Sequence, residues 1–325
     1  MPTTTHSPSR WLALTLALFA GAAAAQTFPA KQVRSVVPFT AGGGTDIAAR
    51  VLAQKLTERT SQTFLVDNRP GASGIIGTEL VAKSAPDGYT LFHCNIASNA
   101  IAQALYAKLP YDALRDFAPV SRIGMTPNVL IGHPSMPADT LKAFVAHARA
   151  NPGKVSYGSS GVGASPHLSM ELFKTTAKID VLHVAYKGAS PALADVIGGQ
   201  IAATIDNLPP YLPQVKVGKI RGLAVTSVKR TTVMPDIPTI AESAVAGYSA
   251  GSWFGLVAPA GTPKPIIDKL AAETQRILKL PDVAERVAGL GAEAVGGTPE
   301  QFAGYIKSEI AKWAKVVKEA NVELQ

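Results

Sequence analysis

The chain has 325 residues, with 31 Lys and Arg, 23 Asp and Glu, a formal net charge of +8 and only 6% aromatic residues. It contains no Lys/Arg run of the kind used on phosphate backbones, so the composition disfavours nucleic-acid binding and fits a diffuse attraction for small anions. Its one cysteine, Cys94, excludes an internal disulfide, so the fold must depend on its apolar core.

The first 25 residues have the pattern of a secretory signal peptide. Arg10 ends a polar segment, an apolar stretch covers residues 11–20, and Ala23-Ala24-Ala25 offers small residues for cleavage before Gln26. A retained membrane anchor is the alternative, but the apolar stretch is short for a membrane span. Cleavage leaves 300 residues and a net charge of +7, because Arg10 is the only charged residue removed. We therefore expect a soluble, exported protein of about two domains.

Apolar strands alternate with amphipathic helices along the mature chain, and the alternation starts again after residue 141. The predicted strands cover 33–39, 64–66, 89–93, 155–157, 181–186, 201–205 and 220–226. The predicted helices cover 46–56, 77–83, 141–150, 167–177, a segment capped by Ser190, and 265–279. A polar loop is predicted at 95–99. This order predicts an α/β fold with largely parallel sheets in two lobes.

The end of the chain is predicted to return to the first lobe. An apolar stripe at helical spacing marks a final amphipathic helix that would cover it, and the stripe consists of Phe302, Ile306, Ile310, Trp313 and Val317. The crossings are placed near 124–134 and 248–259. Lobe 1 would then comprise 26–125 and 253–325, and lobe 2 would comprise 126–252.

Two glycine-rich turns stand where a strand is predicted to pass into a helix. The first covers 38–46 and contains Gly42-Gly43-Gly44; the second covers 156–167 and contains Gly158, Gly161 and Gly163. Helix N-termini present unpaired N–H groups and a partial positive charge, and glycine lets a ligand approach them closely. Two such turns indicate an anion held between the lobes. For the first turn, an ordinary tight turn capped by Thr45 or Asp46 is the alternative.

Enzymatic motifs are missing from these turns. The second turn lacks the G-x-S-x-G spacing of a nucleophile elbow because residue 162 is Val, and the first does not extend to G-x-G-x-x-G because residue 47 is Ile. The sequence also has no G-x-x-x-x-G-K loop and no H-E-x-x-H helix. We therefore predict neither an enzyme nor a cofactor or metal site.

At these residues the chain resembles the Bug-type periplasmic solute receptors of tripartite tricarboxylate transport systems. The matching segments include 36–46, 67–72, 85–91, 109–112, 116–120, 186–188 and 253–263, in the expected order. The resemblance implies a two-lobed periplasmic-binding-protein fold of type II-like form, closing on a small carboxylate. It also implies a periplasmic location, a monomer, and delivery of the ligand to an inner-membrane transporter with one large and one small subunit.

The turns and the family position together predict a set of ligand-binding residues: Phe39, Thr40, Ala41, Gly44, Thr45, Asp46, Ser98, Ser160, Gly161, Ser165, Gly188 and Asp206. Several have a structural alternative: Phe39 as core, Ser98 in a solvated loop, and Ser165 as a helix cap. Asp46 would repel an anion and is expected to act mainly as a cap, and Asp206 has a hinge-side hydrogen bond as its alternative.

Other reactive side chains near the turns are expected to be structural. His93 and Cys94 should pack in or beside their strand, and His167 would be disfavoured as a protonated donor by the helix dipole. Lys187 is either a countercharge or a surface lysine. For the ligand, a dicarboxylate, aliphatic or aromatic such as a phthalate-type diacid, is favoured. An acidic amino acid, or a role in signalling to a membrane sensor, remains the alternative.

Overall fold

The computed structural model describes residues 28–289, 291–319 and 322, so the predicted signal peptide at 1–25 lies outside the described residues. In that part the strands are β1 Val33–Val37, β2 Phe64–Asn68, β3 Thr90–Asn95, β4 Phe117–Thr126, β5 Asn128–Gly132, β6 Ser156–Ser159, β7 Leu182–Ala185, β8 Ala203–Asn207, β9 Arg221–Val225, β10 Ser252–Pro259 and β11 Glu293–Ala294. They form two sheets, one of six strands and one of five.

Helices connect most of these strands. They are α1 Gly44–Thr60, α2 Ile75–Ala82, α3 Ala102–Leu105, α4 Leu141–Ala150, α5 Ser165–Ala177, α6 Ala189–Ile197, α7 Leu208–Lys216, α8 Ile240–Ser243, α9 Lys264–Leu278, α10 Pro281–Gly289 and α11 Pro299–Glu319. The predicted helix 141–150 is confirmed to the residue, and the other predicted helices begin or end within a few residues of the observed ones.

The two sheets share one strand order. The first runs β2-β1-β3-β10-β4 with β11 added at its edge, and the second runs β7-β6-β8-β5-β9. In each, a strand that has just crossed from the other lobe lies between the third and fourth strands and pairs antiparallel with both of its neighbours. Both sheets are mixed, because each crossing strand enters from the opposite direction. Apart from β5, β10 and the edge strand β11, the strands of each sheet run in one direction, so the prediction of largely parallel sheets is confirmed for those strands.

The crossings occur at Pro127, the residue between β4 and β5, and at Gly251, just before β10. Both lie inside the predicted crossing segments. The predicted lobe boundaries, 26–125 with 253–325 and 126–252, stay a prediction that this change of sheet supports. The crossings matter for function because they bring the carboxyl ends of strands from both sheets to one cleft.

Each sheet is covered by apolar helix faces. In β1, Val33, Val36 and Val37 are fully buried, as expected for a strand with helices on both sides. The predicted stripe of α11 packs on the first lobe: Phe302, Ile306, Trp313 and Val317 are buried and Ile310 is half-buried. The expectation that the last helix covers lobe 1 is thus confirmed.

Two local predictions were wrong. The polar segment 95–99 is a buried helical turn, because Asn95 Oδ1 accepts hydrogen bonds from the N–H groups of Ala97 and Ser98 and so begins a helix. Its polar groups bond to one another instead of to water. Ser190 lies inside α6, and Gly188 is the N-cap of that helix. The Ser190 hydroxyl instead donates to the carbonyl oxygen of Ala41 in the other lobe, at 2.9 Å.

Candidate functional site

The first glycine-rich turn presents the N-terminus of α1 to the cleft. Gly43 is the N-cap, in extended conformation and without a side-chain cap, so Thr45 and Asp46 are the second and third helical residues and not caps. Gly42 has φ +83°, a left-handed conformation that favours glycine. Since no side chain caps this helix, its first N–H groups face the cleft. The Thr45 hydroxyl oxygen accepts a bond from Asn95 Nδ2 at 3.0 Å, which leaves its O–H able to donate.

Asp46 lies behind this turn and not in the cleft. Its carboxylate accepts hydrogen bonds from the Gly42 N–H and from Arg50 Nε, both at 2.9 Å, and from Asn68 Nδ2 at 2.9 Å. Burial, the largest single influence, raises the pKa of Asp46, but these donors together outweigh it and the pKa is lowered. The ionised carboxylate therefore fixes the shape of the turn.

The second glycine-rich turn presents the N-terminus of α5. Ala164 is the N-cap and Pro166 follows Ser165 in the first turn of the helix, so the prediction that Ser165 caps the helix was wrong. The Ser165 hydroxyl donates to the carbonyl oxygen of Gly251 at 3.2 Å and accepts from Asn128 Nδ2 at 3.1 Å. These bonds tie the turn to both crossings between the lobes.

Two further helices in the described chain also begin at this cleft. α6 follows Gly188, and α7 follows Asn207. Residues at the starts of α1, α5, α6 and α7 line a common cavity, so four helix N-termini converge on it. Each contributes a partial positive charge of about half an elementary charge at its first turn. Sequence reasoning found two of the four.

The inner cavity is defined by residues from both lobes: Phe39, Gly43, Gly44, Thr45, Asn95, Ile96, Ala97, Ser160, Ala164, Ser165, Pro166, Ala189, Asp206, Asn207 and Ser252. No Lys or Arg is among these lining residues, and Asp206 is the one ionisable side chain among them. Its volume of about 20 Å³ holds roughly one water molecule. A metabolite therefore enters only when the lobes move apart.

A larger outer cavity of about 290 Å³ adjoins the inner one at Phe39 and Ser160. Its remaining lining residues include Tyr106 from lobe 1 and Tyr186 and Lys187 from lobe 2. Lys187 is exposed and contributes a cation to this outer rim. The outer cavity therefore adds two tyrosine rings and a cation to a site whose inner cavity has no lining lysine or arginine.

Asp206 is the acidic group of the inner cavity. It lies at the carboxyl end of β8 and is 1% exposed. Its Oδ1 accepts from the Asn207 N–H at 2.7 Å and from the Ser160 hydroxyl at 3.4 Å, whereas Oδ2 has no hydrogen-bond partner among the described residues. Burial raises the pKa of Asp206 to about 7, against smaller opposing effects of these donors. The carboxyl group is therefore partly protonated near neutral pH.

The lobes touch directly around the cavity, so the structure is a closed form. Besides the Ser190–Ala41 bond, the Ser73 hydroxyl donates to the carbonyl oxygen of Val162. A Cβ atom added at Gly188 would lie 2.1 Å from Thr40 Oγ1, and one added at Gly44 would lie 3.0 Å from Asn207 Oδ1. Closure requires glycine at residue 188, and at residue 44 a side chain would be a tight fit against Asn207.

The structure brings most of the predicted site residues together. Those lining the inner cavity are Phe39, Gly44, Thr45, Ser160, Ser165 and Asp206, and Gly161 lines the outer one. Thr40, Ala41 and Gly188 lie where the lobes touch. Asp46 and Ser98 lie behind the cavity wall, and the Ser98 hydroxyl bonds to Asn95 and Asn99.

Sequence reasoning missed three polar lining residues. Asn95 and Asn207 each end a strand at the cleft, a position that could have identified them. Asn207 Nδ2 donates to Asn128 Oδ1 at 2.6 Å, which fixes the amide beside Gly44. Ser252, at the start of a strand entering from the second crossing, had no local signal.

The neighbouring reactive side chains are structural, as expected. Burial lowers the pKa of His93 to about 4 and raises that of the Cys94 thiol, so both groups are neutral. His167 Nδ1 accepts from the Gly163 N–H at 3.1 Å, and its ring stacks on His183 at 4.3 Å. In the part of the chain that the structure describes, no group of three or more His, Cys, Asp or Glu residues is arranged to hold a metal ion.

Two α/β lobes that close over a cleft lined by helix N-termini define a solute-binding receptor of the periplasmic-binding-protein class. The chain belongs to the tripartite tricarboxylate transporter family receptors, whose family pattern it matches over residues 48–322. This is a family of binding proteins and not of enzymes. It agrees with the resemblance drawn from the sequence motifs.

Relatives support this membership along nearly the whole chain. The chain is 40% identical over 302 residues to BugT of Bordetella pertussis, covering 93% of each protein. It is 40% identical to the R. palustris protein Rpa4515, solved with adipate, with a TM-score of 0.89 over 90% of this chain and 98% of that one. It is 32% identical to MatC of Rhodopseudomonas palustris, solved with malate, with a TM-score of 0.85 over 89% and 100% of the two chains. Among the described helices, none has both the length and the apolar character needed to cross a bilayer.

Proposed function

We propose that this receptor captures a small dicarboxylate in the periplasm and delivers it to a tripartite transporter with a large and a small membrane subunit. The observation that supports this most strongly is the convergence of four helix N-termini on one cavity without a lysine or arginine in its lining. Such a cavity stabilises negative charge through N–H groups and dipoles that are already in place.

The relatives and the residues that line the two cavities support a dicarboxylate. Rpa4515 was solved with adipate and MatC with malate, and both share this fold. In the present chain, the inner cavity would take one carboxylate and the outer cavity the remainder of the ligand. The Phe39, Tyr106 and Tyr186 rings of the outer cavity suit an aliphatic chain or an aromatic ring.

An acidic amino acid is the second candidate, and Asp206 is the observation that favours it. Its unpartnered oxygen would accept a hydrogen bond from an ammonium group inside the inner cavity. A third possibility from the sequence, signalling to a membrane sensor, has no specific structural feature in its favour.

A thermal-shift panel tests the function. Adipate, malate, succinate, phthalate, citrate, glutamate and aspartate would be compared at equal concentration. A ligand at a hundredfold excess over its Kd stabilises the folded state by about 2.7 kcal/mol, so a binder raises the melting temperature by several degrees. No shift with any of these compounds would contradict the proposal.

A closure variant makes this test specific to the cleft. Gly44→Ala places a methyl group 3.0 Å from Asn207 Oδ1 across the closed interface and 3.1 Å from Phe254 of its own lobe. We expect it to weaken ligand binding by about 1–3 kcal/mol through overpacking. Gly304→Ala in α11 is the matched control, because a Cβ there meets no described atom within 4 Å. An unchanged ligand response in Gly44→Ala would argue against binding in this cleft.

A further inference from the structure

The inner cavity combines an acidic lining residue with a proposed anionic ligand. The inference drawn from this combination rests on the proposed function. A receptor for anions has, as the one ionisable side chain lining its inner cavity, an acid: Asp206. An ionised carboxylate there would lie beside the ligand carboxylate with no lining lysine or arginine to offset it. Two carboxylates that share a site cannot both stay ionised at low cost.

The hydrogen bonds around Asp206 leave one oxygen unused. The Asn207 N–H and the Ser160 hydroxyl reach Oδ1, and the Ser160 backbone N–H also donates to the carboxyl group. Oδ2 is buried in a group that is 1% exposed, and it has no partner among the described residues. A buried oxygen of this kind needs a partner, and as a protonated hydroxyl it would donate one hydrogen bond to a ligand in the cavity.

The surrounding charges do not force Asp206 to ionise. The elements packed on β8 carry Tyr157 in β6, His167, Glu171 and Lys174 in α5, and Asp195 in α6, and α7, which follows β8, carries Tyr211. Asp46 of α1 lies behind the first turn, outside the cavity lining. His167 is neutral near pH 7, Lys174 pairs with Glu171 at 2.9 Å, and Asp46 pairs with Arg50. Tyr211 donates to the carbonyl oxygen of Ala189, and Tyr157 donates to Glu171.

We propose that Asp206 binds the ligand as a neutral carboxylic acid, donating its proton from Oδ2 to a ligand carboxylate, so that ligand capture takes up one proton from solvent above neutral pH. The ligand dianion, the receptor with Asp206 ionised and one proton from solvent combine to form the complex. In the complex the proton is shared between Asp206 and the ligand carboxylate. The pKa of about 7 in the ligand-free cleft is consistent with this, since an anion beside Asp206 raises it further.

Calorimetry measures this proton directly. Adipate, with malate as a second probe, would be titrated into the receptor at pH 8 in two buffers of different ionisation enthalpy. We expect an uptake close to one proton per ligand in the wild-type protein. We also expect Kd to weaken by about tenfold per pH unit between pH 8 and pH 9.5, as one linked proton requires.

The variant Asp206→Asn distinguishes the uptake of a proton from the hydrogen bond that the side chain donates. The amide keeps a donor at the same place without a titrating group, so it should bind adipate at pH 8 at least as tightly as the wild type, with no proton uptake and a flat pH profile. Asp236→Asn, at an exposed acid of the same lobe, is the control and should behave as the wild type.

The outcomes distinguish this inference from the proposed function. If adipate or malate binds the wild type with no proton uptake, the inference is overturned while the receptor function stands. Loss of binding in Asp206→Asn together with zero uptake would show an ionised acceptor for a ligand hydroxyl or ammonium group, and would also overturn it. If no compound of the panel binds, both the proposed function and this inference fail.

Discussion

The two buried aspartates at the cleft have opposite environments. Asp46, in lobe 1, accepts bonds from Arg50, Asn68 and the Gly42 N–H, and its pKa is lowered despite burial. Asp206, in lobe 2, has no cation partner, and burial raises its pKa to about 7. Both are at most 2% exposed. Burial alone therefore does not set the charge of a carboxyl group; the donors packed around it do.

The two aspartates therefore have different roles in the site. The ionised Asp46 holds the first turn so that its helix N–H groups face the cavity. Asp206 keeps one oxygen unpaired inside that cavity, at a cost to the empty protein. In lobe 1 the ionised carboxylate of Asp46 therefore lies behind the cavity wall. In lobe 2 the carboxyl group of Asp206 lies in the wall itself and can titrate there.

The largest expected effect comes from neutralising Asp206. Its folded pKa lies above the value of 3.8 expected unfolded, so its favourable contribution is complete below pH 4 and is lost as pH rises through 7. Asp206→Asn should therefore stabilise the ligand-free protein by about 2–4 kcal/mol at pH 8 and by little at pH 4. Urea unfolding at both pH values measures this. Equal effects at the two pH values would show that Asp206 is not titrating in the fold.

Neutralising Asp46 should have the opposite sign. Because its folded pKa is depressed, its contribution is present above pH 4 and disappears as pH falls through the folded value. Asp46→Asn should destabilise the protein by about 2–3 kcal/mol at pH 7, since Arg50 and the Gly42 N–H lose a charged acceptor. Asp268→Asn, in an exposed pair with Lys264, is the control and should leave the stability almost unchanged. If Asp46→Asn leaves the free energy of unfolding unchanged, Asp46 does not shape the turn.

A smaller effect is expected at the stacked histidines of lobe 2. Burial lowers the pKa of His183 to about 3 and that of His167 to about 4, so stability should fall as pH drops from about 6.5 toward 4. His183→Gln should reduce this acid loss by about 1 kcal/mol, since its ring is only partly buried. His147→Gln, outside the stack, serves as the comparison. If the two variants show the same acid profile, the stack does not contribute to acid sensitivity.

Local sequence pattern predicted much of the architecture. The element order, the two glycine-rich turns and the return of the last helix to lobe 1 follow from apolar spacing and from glycine, and these depend on neighbours within a few residues. The same reasoning failed at residues 95–99, because polar composition does not show whether polar groups bond to water or to one another. It also did not predict the crossing strands β5 and β10, whose antiparallel direction depends on where the chain passes between the lobes.

The sequence by itself determined where two of the four helix N-termini would stand, at the two glycine-rich turns. Only the tertiary structure decided that four such ends meet, that residue 188 must be glycine for closure, and that Asp46 is paired with a cation while Asp206 is not. The physical reason is that desolvation and hydrogen bonding of a carboxyl group are set by residues distant in the chain. Two aspartates that look alike in sequence therefore acquire different charges only once the lobes are packed.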